Sequence, residues 1–360
     1  AVDQFETDYR ASFAKHGKGH ALLGLAPRIA LLPGVGLVAA GPDRQSAENA
    51  ASNYRQVIQV MEAAEALDQF RFIDEASAFE FEYWPLAVAD ARRDDREFAR
   101  HVALVTGAAG GIGFAVARRF ALAGGHVVLT DVDPEAVRAA ADAIASETHD
   151  PHRATAVAAD AASEADAARA FDAAVRAYGG LDVLVCNAGY VRTSPITETS
   201  AETWERTLAT NLTGAFLAVR EAVRIMKAQG FGNIVLNASK AAFAPAAQNA
   251  PYAATKAGAA HLARCLAVEL APAGIRVNYV NADFVDTPLM RRVIAERAAQ
   301  RGVSVEAQIE EYRRRNLLKV GPLPPEAVAD AVLFLASPRA AYTTGGVITV
   351  DGGLTDAMPR

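Results

Sequence analysis

From His101 onward, short aliphatic runs alternate with alanine-rich stretches long enough to form helices, and the alternation persists almost to the C-terminus. The β-type runs fall at 102–106, 126–131, 154–159, 181–186, 232–237, 275–280 and 346–350. The helical stretches fall at about 112–124, 134–146, 162–178, 201–228, 252–271 and 324–337. Neighbouring antiparallel strands need only a short turn between them. A helix after nearly every strand implies crossover connections instead, hence a parallel sheet covered on both faces. The expected fold class is α/β, with a doubly wound seven-stranded parallel sheet.

Residues 1–98 break this pattern. Pro33-Gly34 joins two short apolar runs in Arg28–Gly41, a hairpin signal. Val57, Ile58, Met61, Ala64 and Leu67 recur at helical spacing, which predicts a helix from near Ser46 to Leu67. The aromatic-rich segment Phe79–Leu86 contains a helix-breaking proline, Pro85. The charge-dense run Asp90–Arg100 reads as a solvated connector. A hairpin and one long helix bury little surface, so this part is expected to pack on the rest of the chain or on a partner subunit. The chain divides on this reading into an N-terminal extension, 1–98, and a doubly wound domain, 99–360.

With 360 residues, 51% hydrophobic and 22% charged, such a chain buries its own core unaided. Its net charge of −6 gives no general reason to expect nucleic acid or an anionic membrane as partner. The apolar stretch Ile29–Ala40 is too short to span a bilayer and contains Pro33 and Gly34. Ala1–Asp8 is acidic and lacks the basic start of a signal peptide. Two cysteines, Cys186 and Cys265, cannot build a disulfide framework, which suits the reducing cytoplasm. The chain begins at Ala1, as a processed form or a piece of a longer protein does.

Thr106-Gly107-Ala-Ala-Gly110-Gly111-Ile112-Gly113 follows the first strand and opens a helix. Glycines at 107, 111 and 113 let the chain turn sharply and let its backbone approach a diphosphate, which the helix N-terminus stabilises. Their spacing differs from G-x-G-x-x-G. Asp131 ends the second strand, where a carboxylate accepts hydrogen bonds from both adenosine ribose hydroxyls and repels a 2′-phosphate. No Arg or Lys lies in the glycine loop or beside Asp131, and Asp133 adds negative charge, so NAD is favoured over NADP.

Tyr252-Ala-Ala-Thr-Lys256 sets tyrosine and lysine on one helix face. A phenol with pKa near 10 is a poor base at neutral pH, and an adjacent ammonium stabilises its phenolate. Ser239 ends a strand upstream, and Asn211 lies within the preceding helical stretch. Together with Asp160, Asn187-Ala188-Gly189, Arg276-Val-Asn-Tyr-Val280 and Val350-Asp-Gly-Gly353, these motifs resemble a classical short-chain dehydrogenase/reductase over residues 101–354. The resemblance implies a Rossmann-type fold and NAD as cofactor. It implies Tyr252 as general acid/base, Lys256 lowering its pKa and holding the nicotinamide ribose, Ser239 binding the reacting oxygen, and Asn211 positioning a relay water. It places Gly107, Gly111, Ile112, Gly113, Asp131, Asp160, Ala161, Asn187, Ala188, Gly189, Val285 and Thr287, with Tyr252 and Lys256, on the cofactor. A homodimer or homotetramer is likewise implied.

Three departures from the family pattern stand near the site. Cys186 replaces an asparagine, Ala282-Asp283 replaces Pro-Gly, and Lys240 follows Ser239 and is expected at the active-site rim. The N-terminal segment, through Pro27–Leu37, Glu62–Glu65 and Glu82–Leu86, resembles the connecting part of bifunctional class II aldolase/short-chain dehydrogenase proteins, which act on rhamnulose phosphate and lactaldehyde. The aldolase histidine cluster is missing. His16 and His20 flank Gly-Lys-Gly, His149 and His152 sit in a loop, and neither a metal nor aldolase activity is expected. The substrate-covering region Asp286–Lys319 carries eight basic residues against five acidic ones. Either an anionic group on the substrate or a solvated amphipathic lid accounts for that excess.

The expected activity is interconversion of a hydroxyl and a carbonyl on a small sugar-derived or hydroxyaldehyde substrate. A 3-oxoacyl thioester reductase and a non-catalytic NAD-binding assembly protein are the alternatives.

Overall fold

The computed structural model describes residues 1–17, 19–84, 95–244 and 246–357. These form two compact units, Ala1–Asp95 and Arg96–Arg360. Pro85, Leu86 and the first part of the Asp90–Arg100 connector lie outside the described residues.

The first unit holds helix α1 (Val2–His16), strands β1 (Ile29–Leu32) and β2 (Gly36–Ala39), and helices α2 (Arg44–Leu67) and α3 (Glu75–Glu82). β1 and β2 form the expected antiparallel hairpin, and Gly34 takes φ +75° in its turn. Helix α2 starts two residues before the expected Ser46, because the Asp43 carboxylate caps it by accepting from the Ser46 amide at 2.7 Å. Helix α1 was not expected. It packs on α3 through aromatic rings: Phe13 lies 5.7 Å from Tyr83, and Phe79 stacks on Tyr83 at 4.3 Å.

In the second unit the strands are β3 (Val102–Thr106), β4 (His126–Asp131), β5 (Ala154–Ala158), β6 (Val183–Cys186), β7 (Gly232–Asn237), β8 (Ile275–Ala282) and β9 (Val347–Val350). They pair in the order β5-β4-β3-β6-β7-β8-β9, every pair parallel. Between them run α4 (Gly111–Leu122), α5 (Pro134–Thr148), α6 (Glu164–Tyr178), α7 (Ala201–Leu208), α8 (Gly214–Gln229), α9 (Ala250–Leu270), α10 (Pro288–Arg301), α11 (Val305–Arg315) and α12 (Pro325–Ala336).

Side chains alternate faces along a strand, so one sheet makes two cores. Ala103 and Val105 of β3, with Val127 and Leu129 of β4, bury against Val116 and Phe120 of α4, Ile144 of α5 and Val332 of α12. Val102 and Leu104, with Val128, bury against Phe171 of α6, Val219 and Met226 of α8 and Ala263 of α9. This is the Rossmann-type architecture expected from the strand–helix alternation.

Its first three strands run outward from β3 to β5, and the chain then returns to place β6 on the other side of β3. At such a reversal the loops beyond the strand ends separate and leave a crevice, which is where ligands bind in doubly wound sheets. The helix expected across 201–228 is instead two helices joined by a π turn at Ala209–Thr213, in which the Gly214 amide reaches back five residues to the Ala209 carbonyl.

Candidate active site

A cleft of about 760 Å³ occupies that crevice. Each strand from β3 to β8 contributes the residues just after its C-terminal end, so the topology alone collects distant sequence segments at one place.

The turn after β3 is built for close backbone approach. Gly107 has φ +64°, and a methyl there would lie 2.7 Å from the Ala188 Cα. A methyl on Gly113 would lie 2.2 Å from the Gly107 carbonyl oxygen. Gly110, at the N-cap of α4, offers no side-chain cap to the first-turn amides and has open space where a Cβ would be. Such a helix start suits a diphosphate.

Thr106 and Asn187 lock the turn in place. The Thr106 hydroxyl accepts from the Asn187 and Ala188 amides at 3.0 Å each, and Asn187 Nδ2 donates to the carbonyls of Thr106 and Gly107. Asp131 Oδ2 accepts from the Ala109 amide at 3.1 Å, which holds the carboxylate at the cleft wall. Asp160 and Ala161 line the same end, and Asp160 Oδ1 accepts from the Ala162 amide at 2.9 Å. These groups fit a dinucleotide: a glycine cradle, free amides at a helix start, and a carboxylate at the end of β4.

Ile112 and Gly189 also line the cleft, as do Val285 and Thr287 opposite the glycine turn. A methyl on Gly111 would touch the Thr287 methyl at 3.1 Å. Ala188 lines it too, whereas Gly113 is buried beneath the turn.

Tyr252 and Lys256 come from α9, one turn apart; Lys256 is buried and Tyr252 half-buried at the cleft wall. The Lys256 ammonium donates to the Asn237 carbonyl at 2.7 Å and lies 5.6 Å from the centre of the Tyr252 ring. Burial pulls its pKa from 10.5 down to about 8, opposed by the nearby Cys186 sulfur. Burial also raises the Tyr252 phenol, a hydrogen bond from Ser239 lowers it, and the Asp283 charge raises it. Cys186 is wholly buried, and its thiol is pushed up to about 12, so it stays neutral beside Lys256.

Asn211 sits in the π turn, with both ends of its amide taken up. Its Oδ1 accepts from the Tyr190 amide at 2.6 Å, while Nδ2 donates to the Tyr190 carbonyl and to the Thr255 hydroxyl. A second, small cavity of about 10 Å³ lies between Asn211, Thr210, Asn237, Cys186 and Lys256. That is close to the space a single water needs, and the walls mix polar groups of Thr106, Thr210, Asn211, Asn237 and Lys256 with apolar ones such as Leu236 and Ala259.

Lys240 is not at the rim. It is buried and pairs with Asp283 at 2.9 Å, both side chains about one-tenth exposed. Burial lowers its pKa, and the Asp283 charge opposes that shift. Its ammonium also lies 5.5 Å from the Tyr312 ring centre, and that ring stacks on Phe284 at 4.8 Å. The departures Lys240 and Asp283 therefore answer each other. Residues that the motifs did not single out complete the site: Asn237, Thr255, Tyr190, Phe284, Arg297 and Tyr312. Only Thr255 carried a local signal, since it lies three residues after Tyr252 on the same helix face.

A family model described as enoyl-(acyl carrier protein) reductase matches residues 107–355, and one described as aldolase class II, second domain, matches residues 1–89. The "uncharacterized oxidoreductase YuxG" of Bacillus subtilis is 40% identical over the whole chain, which spans 53% of that relative's length. The cis-4-hydroxycyclohexanecarboxylate dehydrogenase of Sinomonas cyclohexanicum is 39% identical over 72% of this chain and 98% of its own. The crystal structure of L-sorbose reductase from Gluconobacter frateurii, complexed with NADPH and L-sorbose, superposes with a TM-score of 0.67 at 30% identity, covering 72% of this chain and 98% of that one. The chain belongs to the short-chain dehydrogenase/reductase family of oxidoreductases, which bind a nicotinamide cofactor and act on small molecules. Its N-terminal segment is aldolase-like, as the second resemblance implies. Among the described residues no helix is long and apolar enough to cross a membrane.

Proposed function

We propose that the chain is an NAD(H)-dependent oxidoreductase that interconverts a hydroxyl and a carbonyl on a small sugar-derived or hydroxyaldehyde substrate. The observation that carries this reading is the line Ser239–Tyr252–Lys256 at one end of a cleft whose other end holds Asp131. Ser239 and Tyr252 hydrogen-bond the substrate oxygen, and Tyr252 takes or returns its proton. The Lys256 ammonium, fixed by the Asn237 carbonyl, stabilises the phenolate and meets the nicotinamide ribose. Asn211, its side-chain amide engaged by Tyr190 and Thr255, stands beside the small cavity, where a relay water would sit. The bound nicotinamide supplies the hydride acceptor or donor.

Asp131 carries the preference for NAD, because its carboxylate accepts from two ribose hydroxyls and opposes a 2′-phosphate. No lysine or arginine lines the cleft beside it among the described residues. Gly107, Gly111, Ile112, Gly113, Asp160, Ala161, Asn187, Ala188, Gly189, Val285 and Thr287 hold the rest of the dinucleotide in this reading. Residues 99–360 are the catalytic domain, 1–98 an extension without catalytic residues, and the assembly a cytoplasmic homodimer or homotetramer. Two relatives lend support by name, one a dehydrogenase of a hydroxylated ring acid and the other a sugar reductase.

Turnover of a polyol and hydroxyaldehyde panel with NAD and with NADP tests the proposal. NADH formation on at least one member, with NAD preferred, is expected. Preference for NADPH with activity on 3-oxoacyl thioesters alone would instead favour the thioester reductase.

A further inference from the structure

The cleft is electrically polarised. Asp131 and Asp160 line it just after β4 and β5, whereas Lys240 and Arg297 line it near Asp283, whose charge reaches Tyr252; Arg206 lines it as well. Asp283 is the one other acidic residue lining the cleft among the described residues, and Lys240 neutralises it. Arg206 is exposed and lies over the Tyr190 ring at 4.5 Å.

The eight basic residues of the segment 286–319 sort by what they meet: Arg315 lies 5.9 Å over the Tyr312 ring outside the cleft lining, and Lys319 donates to the Arg314 carbonyl. Arg291 pairs with Asp286, Arg292 with Glu296, Arg301 with Glu311, and Arg313 and Arg314 with Glu310, all on the outer surface. None of these lines the cleft. Arg297 of α10 does, and it has no carboxylate within ion-pair distance among the described residues. Its one protein hydrogen bond runs from Nη1 to the Tyr312 hydroxyl, and Tyr312 is fixed by its stack on Phe284. The backbone behind that stack is closely packed: Phe284 takes φ +52°, and a methyl on Gly321 would lie 2.3 Å from its ring.

A half-buried guanidinium, held at one corner and otherwise unpaired, is arranged for an incoming oxyanion. Its planar fork matches a carboxylate or a phosphate through two parallel bonds. We propose that Arg297 binds an oxyanion on the substrate, which places the substrate among small hydroxy or oxo acids or phosphorylated polyols. This inference rests on the reading of the same cleft as an alcohol/carbonyl oxidoreductase site.

Matched pairs that differ in the anion test it: lactate against propane-1,2-diol, glycerate against glycerol, and glycerol 3-phosphate against glycerol. Two quantities are measured for the full chain: kcat/KM with NAD, and the shift in Tm that each compound adds to the NADH complex. The anionic member of at least one pair is expected to exceed its neutral partner by about tenfold or more, the size of a charge-assisted bidentate contact. The carboxylate and phosphate pairs show which oxyanion is preferred. In Arg297→Ala the anion-to-neutral ratio should collapse toward one through KM, Arg297→Lys should recover part of it, and Arg291→Ala should leave it intact.

Equal or better use of the neutral partners by the wild type overturns the proposal. So does an Arg297→Ala variant that keeps the ratio, or the absence of any Arg297-dependent anion effect on either turnover or Tm. Arg297-dependent anion binding without turnover of any compound supports the anion site and counts against the oxidoreductase reading, so the two failures are distinguishable.

Discussion

Replacing Lys256 with methionine should make the cofactor-free protein more stable at neutral pH. The ammonium is buried, and its pKa falls from 10.5 to about 8 because desolvation disfavours the charged form. At 1.36 kcal/mol per pH unit that drop corresponds to about 3 kcal/mol of destabilisation when the lysine is charged in the folded state. Methionine also removes the hydrogen bond to the Asn237 carbonyl, a loss of about 1 kcal/mol. The net expectation at pH 7 is a gain of about 2 kcal/mol.

The sign depends on pH. Below pH 8 the folded and unfolded chains both carry the proton, and the full penalty applies. Between about 8 and 10.5 the unfolded chain binds the proton and the folded chain does not, so stability of the wild type rises with pH through this window relative to the variant. By about pH 9.5 only about 1 kcal/mol of the penalty is left, and the two proteins should be nearly equal. Urea unfolding followed by circular dichroism at pH 7 and pH 9.5 gives both differences. A variant less stable than wild type at pH 7, or a difference that does not change with pH, would refute the reasoning.

Asp131→Ala should raise KM for NAD about ten- to hundredfold, as expected for losing charge-assisted bonds to two hydroxyls, and should improve the use of NADP. Steady-state kinetics with both nucleotides checks it; an unchanged preference would remove Asp131 from the specificity. Gly107→Ala should lower Tm by several degrees, because φ +64° is strained for alanine by about 1–3 kcal/mol and its methyl would meet backbone at 2.7 Å. The same substitution should weaken NADH binding, measured by fluorescence titration, since the cradle itself must move. A Tm and an affinity equal to wild type would show that the turn is not as tight as described.

Much of the fold was legible because buried parallel strands have a strong signature. β3, β4 and β7 fall on the expected 102–106, 126–131 and 232–237. β8 runs on to Ala282 rather than stopping at 280, because Asn281 and Ala282 still pair with Thr349 and Val350 of β9. That extension is a property of the neighbour and is not written in the strand's own composition. The π turn at 209–213 was missed for a related reason: a bond five residues back needs no distinctive side chains, and the apolar period continues through it.

At the site, the glycine turn, Asp131 and the Tyr252–Lys256 pair could be recognised because each is local in sequence. The Lys240–Asp283 pair could not. Its members are far apart along the chain, and they meet only because β7 and β8 are adjacent in the sheet. The arginines of 286–319 look alike in sequence as well. Only the fold separates Arg297, which lines the cleft and bonds Tyr312, from neighbours that pair with surface carboxylates or, like Arg315, lie outside the cleft lining.

The central claim is that Tyr252 moves the proton at the reacting oxygen. The most direct measurement is single-turnover NADH formation by Tyr252→Phe, on whichever compound the wild type oxidises, beside NADH affinity of the same variant. The account predicts a rate loss of about 10²–10⁴-fold, the usual contribution of a positioned acid/base, with NADH affinity close to wild type. A variant that turns over as fast as wild type would contradict it.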